Sequence, residues 1–389
     1  MKIFNNQHFK KLHETTGNTV LSFFVPTNRH SSDGYKADKI HLKNLLGKAQ
    51  EELVKLKGME EKDARETLKP ASALLEDYDF WKYNADLLAI YIIDGDLEYL
   101  RLPIPQKESA YFIGQRPFLL PLIPELNDDG LYYLLLLNLD RIRLFEAKRS
   151  SIYEIELDQE EVAVSFTDEE EEMENVGNLQ AQSNVGDGGA TYHGHGDGSD
   201  EEKKVTILNY FHRMTNMLEP KLNQRPLPLF LAGVDYLIPL FREASKYNHL
   251  QKGHVSGAFS GEDIKTLHKK SWELASRHFD ENREGRMEEF NLKKAKSLAI
   301  DNDSAKLIKA SISGGVDMLF LSTDHEHKWG TFNEEQYKLN FEDCPTGKNH
   351  CLIDLAASHV VNNGGKVYFL PADKMPAESQ MAGTLRYEI

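Results

Sequence analysis

The sequence predicts an α/β fold in three domains, spanning residues 1–126, 127–270 and 271–389, and three observations lead there. Short apolar runs read as buried strands: TVLSFFVP at 19–26, LLAIYIID at 87–94 and PLFLAG at 228–233. Segments with apolar residues at helical spacing lie between them, and a strand–helix alternation is the mark of layered α/β architecture. The pattern also restarts near residues 127 and 271, and the length suits two or three domains rather than one.

In the first segment a polar helix precedes the 19–26 strand, which ends at Pro26. The polar loop 27–35 (TNRHSSDGY) follows, with Asn28, Arg29 and His30 as candidates for recognition, since loops carry function more often than the elements they join. Residues 36–57 read as an amphipathic helix through Ile40, Leu42, Leu45, Leu46, Leu53 and Leu56, with Lys55 and Lys57 on its solvated face. The 87–94 strand turns at Gly95-Asp96 and returns over 97–102 as a hairpin.

The second segment opens with three strands at 132–138, 141–146 and 152–157, a meander. An acidic run at 168–172 reads as a solvated segment, because like charges in a row repel one another. Residues 175–204 (NVGNLQAQSNVGDGGATYHGHGDGSDEEKK) then form a central loop without apolar periodicity, rich in Gly, Asn, Asp and His. A loop this long inside a compact domain is functional or disordered as a rule. Ser199 and Glu202 have the spacing of a capping box opening the next helix, which carries Ile207, Phe211, Met214 and Leu218 and stops at Pro220. The loop would then sit at a positive helix end, where phosphates are favoured. The strand 228–233 and a helix over 234–247 follow, so parallel pairing is expected.

In the third segment helices are expected over 271–279, 284–299 and 305–313, and a strand over 316–321. Residues 329–350 read as an irregular insertion. A helix over 352–362 ends at Asn363-Gly364-Gly365, where glycine suits the left-handed cap, and a strand covers 366–370. This order predicts a three-layer α/β sandwich.

The formal net charge of −16 argues against a nonspecific nucleic-acid coat, whose affinity rests on clustered Lys and Arg. It leaves room for local basic patches such as Lys203, Lys204, His212 and Arg213 after the central loop. Two cysteines, Cys344 and Cys351, cannot build a disulfide framework. With no apolar signal core in MKIFNNQHFKK and no membrane-length run, the expectation is a soluble cytoplasmic protein without membrane association.

Residues 352–370 (LIDLAASHVVNNGGKVYFL), then Met375-Pro376 and 382–387 (AGTLRY), resemble the C-terminal domain of the class one release factor of archaea and eukaryotes and of its relative Pelota. Residues 317–323 (DMLFLST) are similar to the earlier strand of that domain, 230–236 (FLAGVDY) to the strand and turn of the middle domain, and 19–26 to the opening strand. The His193-Gly194-His195-Gly196 loop is similar to that of the bacterial branch, the archaeo-eukaryotic release-factor-like family. The resemblance implies a three-domain, release-factor/Pelota-like fold whose C-terminal α/β sandwich resembles kink-turn-binding ribosomal proteins. It implies ribosome and rRNA as partner, with a translational GTPase such as elongation factor Tu as a further candidate.

One departure bears on chemistry. Release factors carry Gly-Gly-Gln in the central loop, whereas here Gly188-Gly189 is followed by Ala190, and Gln180 and Gln182 stand well before it. The resemblance therefore implies ribosome binding in rescue, hibernation or termination more than catalysis. The alternatives are a hydrolase of peptidyl-tRNA or RNA, with His193, His195 and Asp197 as catalytic candidates because imidazole titrates near neutrality, and a non-catalytic interaction protein. Gly188, Gly189, His193, Gly194, His195, Gly196, Lys203, Lys204, Arg213, Asn28 and Arg29 are the candidate rRNA contacts. No cofactor or metal is expected: the adjacent His350 and Cys351 would struggle to converge on one ion with Cys344, and no nucleotide-binding glycine motif is present.

Overall fold

The computed structural model describes residues 4–28, 34–82, 84–104, 106, 108–126, 130–139, 142–149, 151–157, 198–259 and 263–388. Two compact units emerge, one built from Met1–Asn127 with Arg283–Ile389 and the other from Asp128–Asn282.

In the N-terminal part of the first unit, α1 (Asn6–Glu14) is capped by Asn5, whose side chain accepts from the His8 amide. Strand β1 (Val20–Pro26) is followed by α2 (Gly34–Lys57), α3 (Glu61–Ala73) and α4 (Tyr78–Lys82), then by β2 (Leu87–Ile93), β3 (Asp96–Leu102) and β4 (Ala110–Gly114), and by a short α5 (Ile123–Leu126). The sheet order is β3-β2-β1-β4, antiparallel throughout. The continuous apolar run of β1 is explained by burial on both faces: Leu21, Phe23 and Val25 pack among residues of α2 and α3, and Phe24 faces a core shared with α1 and the C-terminal part. The β2–β3 turn is Asp94-Gly95, not Gly95-Asp96, since Ile93 pairs with Asp96. Both turn residues have positive φ, as the tightest twist-matched hairpin turn requires. Helices α3 and α4 and strand β4 lie in stretches to which no element was assigned above.

The second unit contains β5 (Tyr132–Leu136), β6 (Arg143–Lys148), β7 (Ser151–Ile155), α6 (Gly198–Leu222), β8 (Leu229–Gly233), α7 (Leu237–Ala244), β9 (Leu250–Ser256) and the start of α8 (Ile264–Ala295). Its sheet runs β7-β6-β5-β8-β9, with β8 parallel to both β5 and β9. Alternation sorts β5 cleanly: Tyr133 and Leu135 face α6 and α7, while Tyr132, Leu134 and Leu136 face Leu267, Ala275 and Phe279 of α8. The two helices expected over 271–279 and 284–299 are one continuous α8. Of the intervening Asp280–Arg283 only Glu281 and Arg283 are good helix formers, yet the helix runs on through Asp280 and Asn282 without an apolar stripe. Helix α7 begins at Leu237 rather than Val234, because the chain must first turn out of β8.

The C-terminal part returns to the first unit with β10 (Ala299–Ile300), α9 (Ser304–Ile312), β11 (Val316–Ser322), β12 (Trp329–Asn333), β13 (Lys338–Glu342), β14 (His350–Cys351), α10 (Leu352–Asn362), β15 (Lys366–Leu370) and β16 (Met381–Leu385). The main sheet runs β10-β16-β11-β15. Leu319 and Leu321 of β11 face α9 and α10, and Met318 and Phe320 face Met287 and Phe290 of α8, giving the expected helix–sheet–helix layering. A bulge between Val316 and Met318 shifts the alternation, which places Val316 on the side of Leu319 rather than of Met318. Residues 329–350 are not irregular: β13, β12 and β14 form a small antiparallel sheet. Its apolar content is spread over Trp329, Phe332 and Leu339, too sparse to register as strands in sequence.

One smaller correction concerns a side chain. Lys57 is half-buried rather than solvated, and its Nζ donates to the Asn18 carbonyl at 3.1 Å. Ser199 and Glu202 fall in the first turn of α6, and the capping-box contacts expected of their side chains lie outside what the structure describes. No helix among the described residues is long and apolar enough to cross a membrane.

Candidate nucleic-acid interface

Helix α6 forms because Ile207, Tyr210, Phe211, Met214, Leu218 and Leu222 recur at helical spacing and bury one stripe against the second unit's sheet. It lies between β7 and β8 in a crossover to a strand parallel to β5, so it runs opposite to the parallel strands. Its first turn therefore lies at their carboxyl end. That is the edge at which open α/β sheets place ligands, and the helix N-terminus adds partial positive charge.

Lys203, Lys204 and Arg213 are all exposed. At about 100° per residue, Lys203 falls in the angular sector of Tyr210 and Met214, so it is exposed by overhanging the core rather than by facing away from it. Arg213, with His212, lies on the solvent side and about 15 Å further along the axis. The helix thus carries two separate basic positions rather than one patch: Lys203 with Lys204 at the carboxyl edge, and His212 with Arg213 midway. Val205 is exposed beside the lysines.

The same edge holds a polar cluster not singled out in sequence. Asp235, just beyond β8, accepts from Ser256 Oγ at 2.6 Å, and its Oδ1 lies 3.3 Å from His254 Nε2 at the end of β9. The Ser256 hydrogen bond, then His254, holds the Asp235 carboxyl below its usual range. Tyr236 next to it is 55% exposed, an open aromatic face of the kind on which bases stack. Gly233 makes the tight exit from β8 possible: its φ is +151°, and a Cβ there would stand 2.9 Å from the Leu137 carbonyl oxygen. Residues 230–236 signalled a strand and turn, but what joins Asp235 to His254 and Ser256 is parallel register, which no local pattern encodes.

Asn28, in the first unit, is already engaged. Its backbone N–H and side-chain Nδ2 donate to the two carboxylate oxygens of Asp38 at 3.0 and 2.8 Å, and burial raises the Asp38 pKa. Arg29, Gly188, Gly189, His193, Gly194, His195, Gly196 and Asp197 lie outside the described residues. Among the described residues, no three His, Cys, Asp or Glu side chains are placed to hold a metal. Cys344 is exposed and Cys351 buried, both as free thiols, and burial pushes the Cys351 thiol up to about 12.

Residues 132–277 match the family described as bacterial archaeo-eukaryotic release factor family 7. The matched span takes in β5 to β9 and the start of α8. Among solved structures, the archaeal translation termination factor aRF1 is 14% identical, with 99% of each chain covered and a TM-score of 0.25. Pelota of Archaeoglobus fulgidus is 13% identical over 78% of this chain and 80% of that one, with a TM-score of 0.32. An archaeal Pelota described as ribosome-bound, with ABCE1, is 10% identical over 100% and 96%, with a TM-score of 0.39. A search of curated protein sequences finds no match.

Proposed function

We propose that the chain is a bacterial archaeo-eukaryotic release-factor-like protein and a ribosome-associated translation factor that binds the A site and acts in rescue, hibernation or termination. The observation that carries this reading is the family match over the second unit, whose sheet edge gathers the first turns of α6, Tyr236 and the Asp235 cluster. The central loop, which precedes α6, enters between ribosomal RNA strands, and Lys203 and Lys204 meet the flanking phosphates. Phosphate contacts position such a factor while loop and aromatic contacts discriminate. The −16 net charge restricts binding to these local cations. A translational GTPase, elongation factor Tu among the candidates, delivers the protein, and the site of action is the cytoplasm.

Binding rather than catalysis is the role, because hydrolysis of the peptidyl ester needs a water held in line and donors for the oxyanion. The loop has no glutamine after its glycine pair. The test is co-sedimentation with ribosomes across a salt series, followed by release of labelled peptide from stalled complexes. Binding should persist and weaken as salt rises, with little release. Absence of co-sedimentation at low salt would sink the proposal. Rapid release abolished by His195→Ala would replace it with a hydrolase.

A further inference from the structure

In the first unit a cleft opens between β4 with the turn after it and the start of α10. It is lined by His13, Arg116, His350 and Asp354, with Phe112 and Trp329 as apolar wall. Arg116 is half-buried, and among the described residues its guanidinium forms no ion pair and donates no hydrogen bond. A guanidinium carries five N–H donors, and holding it partly out of water without a partner is costly.

Its neighbours leave the cleft electrostatically one-sided. Burial first, then the charges of His359 and Arg116, hold His13 down to about 4. Burial and then Arg116 lower His350 and take His359 to about 4. The His13 and His359 rings meet edge to face, with centroids 4.6 Å apart. The acid that lines the cleft, Asp354, is turned elsewhere: its Oδ1 accepts the Leu119 and Leu120 backbone N–H groups at 2.8 and 2.6 Å. Burial pushes its carboxyl up to about 7, so near neutral pH much of it is uncharged. Glu14, exposed on α1, is the carboxylate that acts on His13, and it raises the pKa against the larger lowering effects.

The space open to solvent is about 30 Å³, room for two or three waters. That suits a compact group of a few heavy atoms and is too small for a nucleoside. We propose that this cleft binds a small tetrahedral oxyanion, free or as the terminal group of a short monoester, held by Arg116 and bracketed by the imidazoles of His13 and His350. The anion supplies the acceptors that the guanidinium lacks and favours the charged form of both imidazoles.

Sulfate is the chosen probe, because its charge is constant across the pH range in which the histidines titrate. The full chain is titrated with sulfate by calorimetry at pH 6.5, against chloride at matched ionic strength, with glycerol phosphate as the monoester arm. Saturable one-site binding that Arg116→Gln weakens at least tenfold supports the proposal. The preferred arm then tells free anion from ester. In parallel, ring-proton titrations of His13 and His350 in the unmutated protein should move upward in sulfate, a readout that does not depend on how the variant folds. No saturable binding beyond chloride, unmoved histidine midpoints, or equal binding by Arg116→Gln, which would mark an adventitious ion only, each overturns it.

Discussion

Replacing Asp354 tests the packing of the first unit most sharply. The carboxylate is 9% exposed and accepts two backbone N–H groups from the segment leading into α5. Asp354→Ala leaves both donors buried and unpaired. At roughly 1–3 kcal/mol for each stranded group, the loss should reach about 2–6 kcal/mol. Asp354→Asn keeps an acceptor oxygen and should cost far less, but it removes a titration. The carboxyl has a folded pKa near 7 against ~3.9 in the unfolded chain. Between those values the native state binds a proton that the unfolded state does not. Its contribution is therefore fully present below about pH 4 and is lost as pH rises through 7, at ~1.4 kcal/mol per unit. The wild-type stability relative to Asp354→Asn should grow by up to roughly 4 kcal/mol between pH 7 and 4. His13 and His359 titrate with the opposite sign but cancel in this difference. Urea midpoints at unit pH steps measure the slope, and hydrogen exchange in residues 117–122 reports the two amides directly. A flat difference, or Asp354→Ala within half a kcal/mol of wild type, would refute the reasoning.

Charge reversal at Lys203 and Lys204 should weaken ribosome co-sedimentation and flatten its salt dependence by up to about two phosphate contacts. The same reversal at the exposed Lys55 should leave both unchanged, and an equal effect would remove α6 from the interface. Gly233→Ala should cost more than about 1 kcal/mol, because it combines a left-handed backbone with a clash against the Leu137 carbonyl; a thermal midpoint shift reads it. Phe211→Ala should destabilise the second unit by roughly 3–5 kcal/mol, since the ring is fully buried between sheet and helix, and denaturant melts measure it. Replacing His359 by Gln should lessen the loss of stability on acidification from pH 6.5 towards 4, since its pKa is held low in the folded state.

What the sequence discloses follows from range. Strands β1, β2, β8 and β15 and helix α10 are legible because apolar runs and the Asn363-Gly364-Gly365 cap are local signals, and Gly364 does adopt φ +75°. The β12–β13 hairpin is missed because Phe341, half-exposed, and sparse neighbours give no alternation. At the candidate interface Lys203, Lys204 and Arg213 are visible as charges, but their angular separation around α6 needs the helix phase. The Asp235, His254 and Ser256 cluster and the Arg116 cleft come from residues apart in the chain. Only strand register or a shared core brings such residues together.

The partnership between Leu119, Leu120 and Asp354 spans 235 and 234 residues of chain. During synthesis at about 5–20 residues per second, the N-terminal sheet emerges roughly 10–50 seconds before the acceptor of its two amides exists. The Asp128–Asn282 unit is complete in the interval and can fold first. The early sheet must meanwhile hold Phe24 and Tyr91 covered only by α1 and the 118–123 segment, without the C-terminal share of their core, a waiting state that favours chaperone capture. A truncation that ends before α10 should accordingly leave a folded middle unit carrying a sticky N-terminal one.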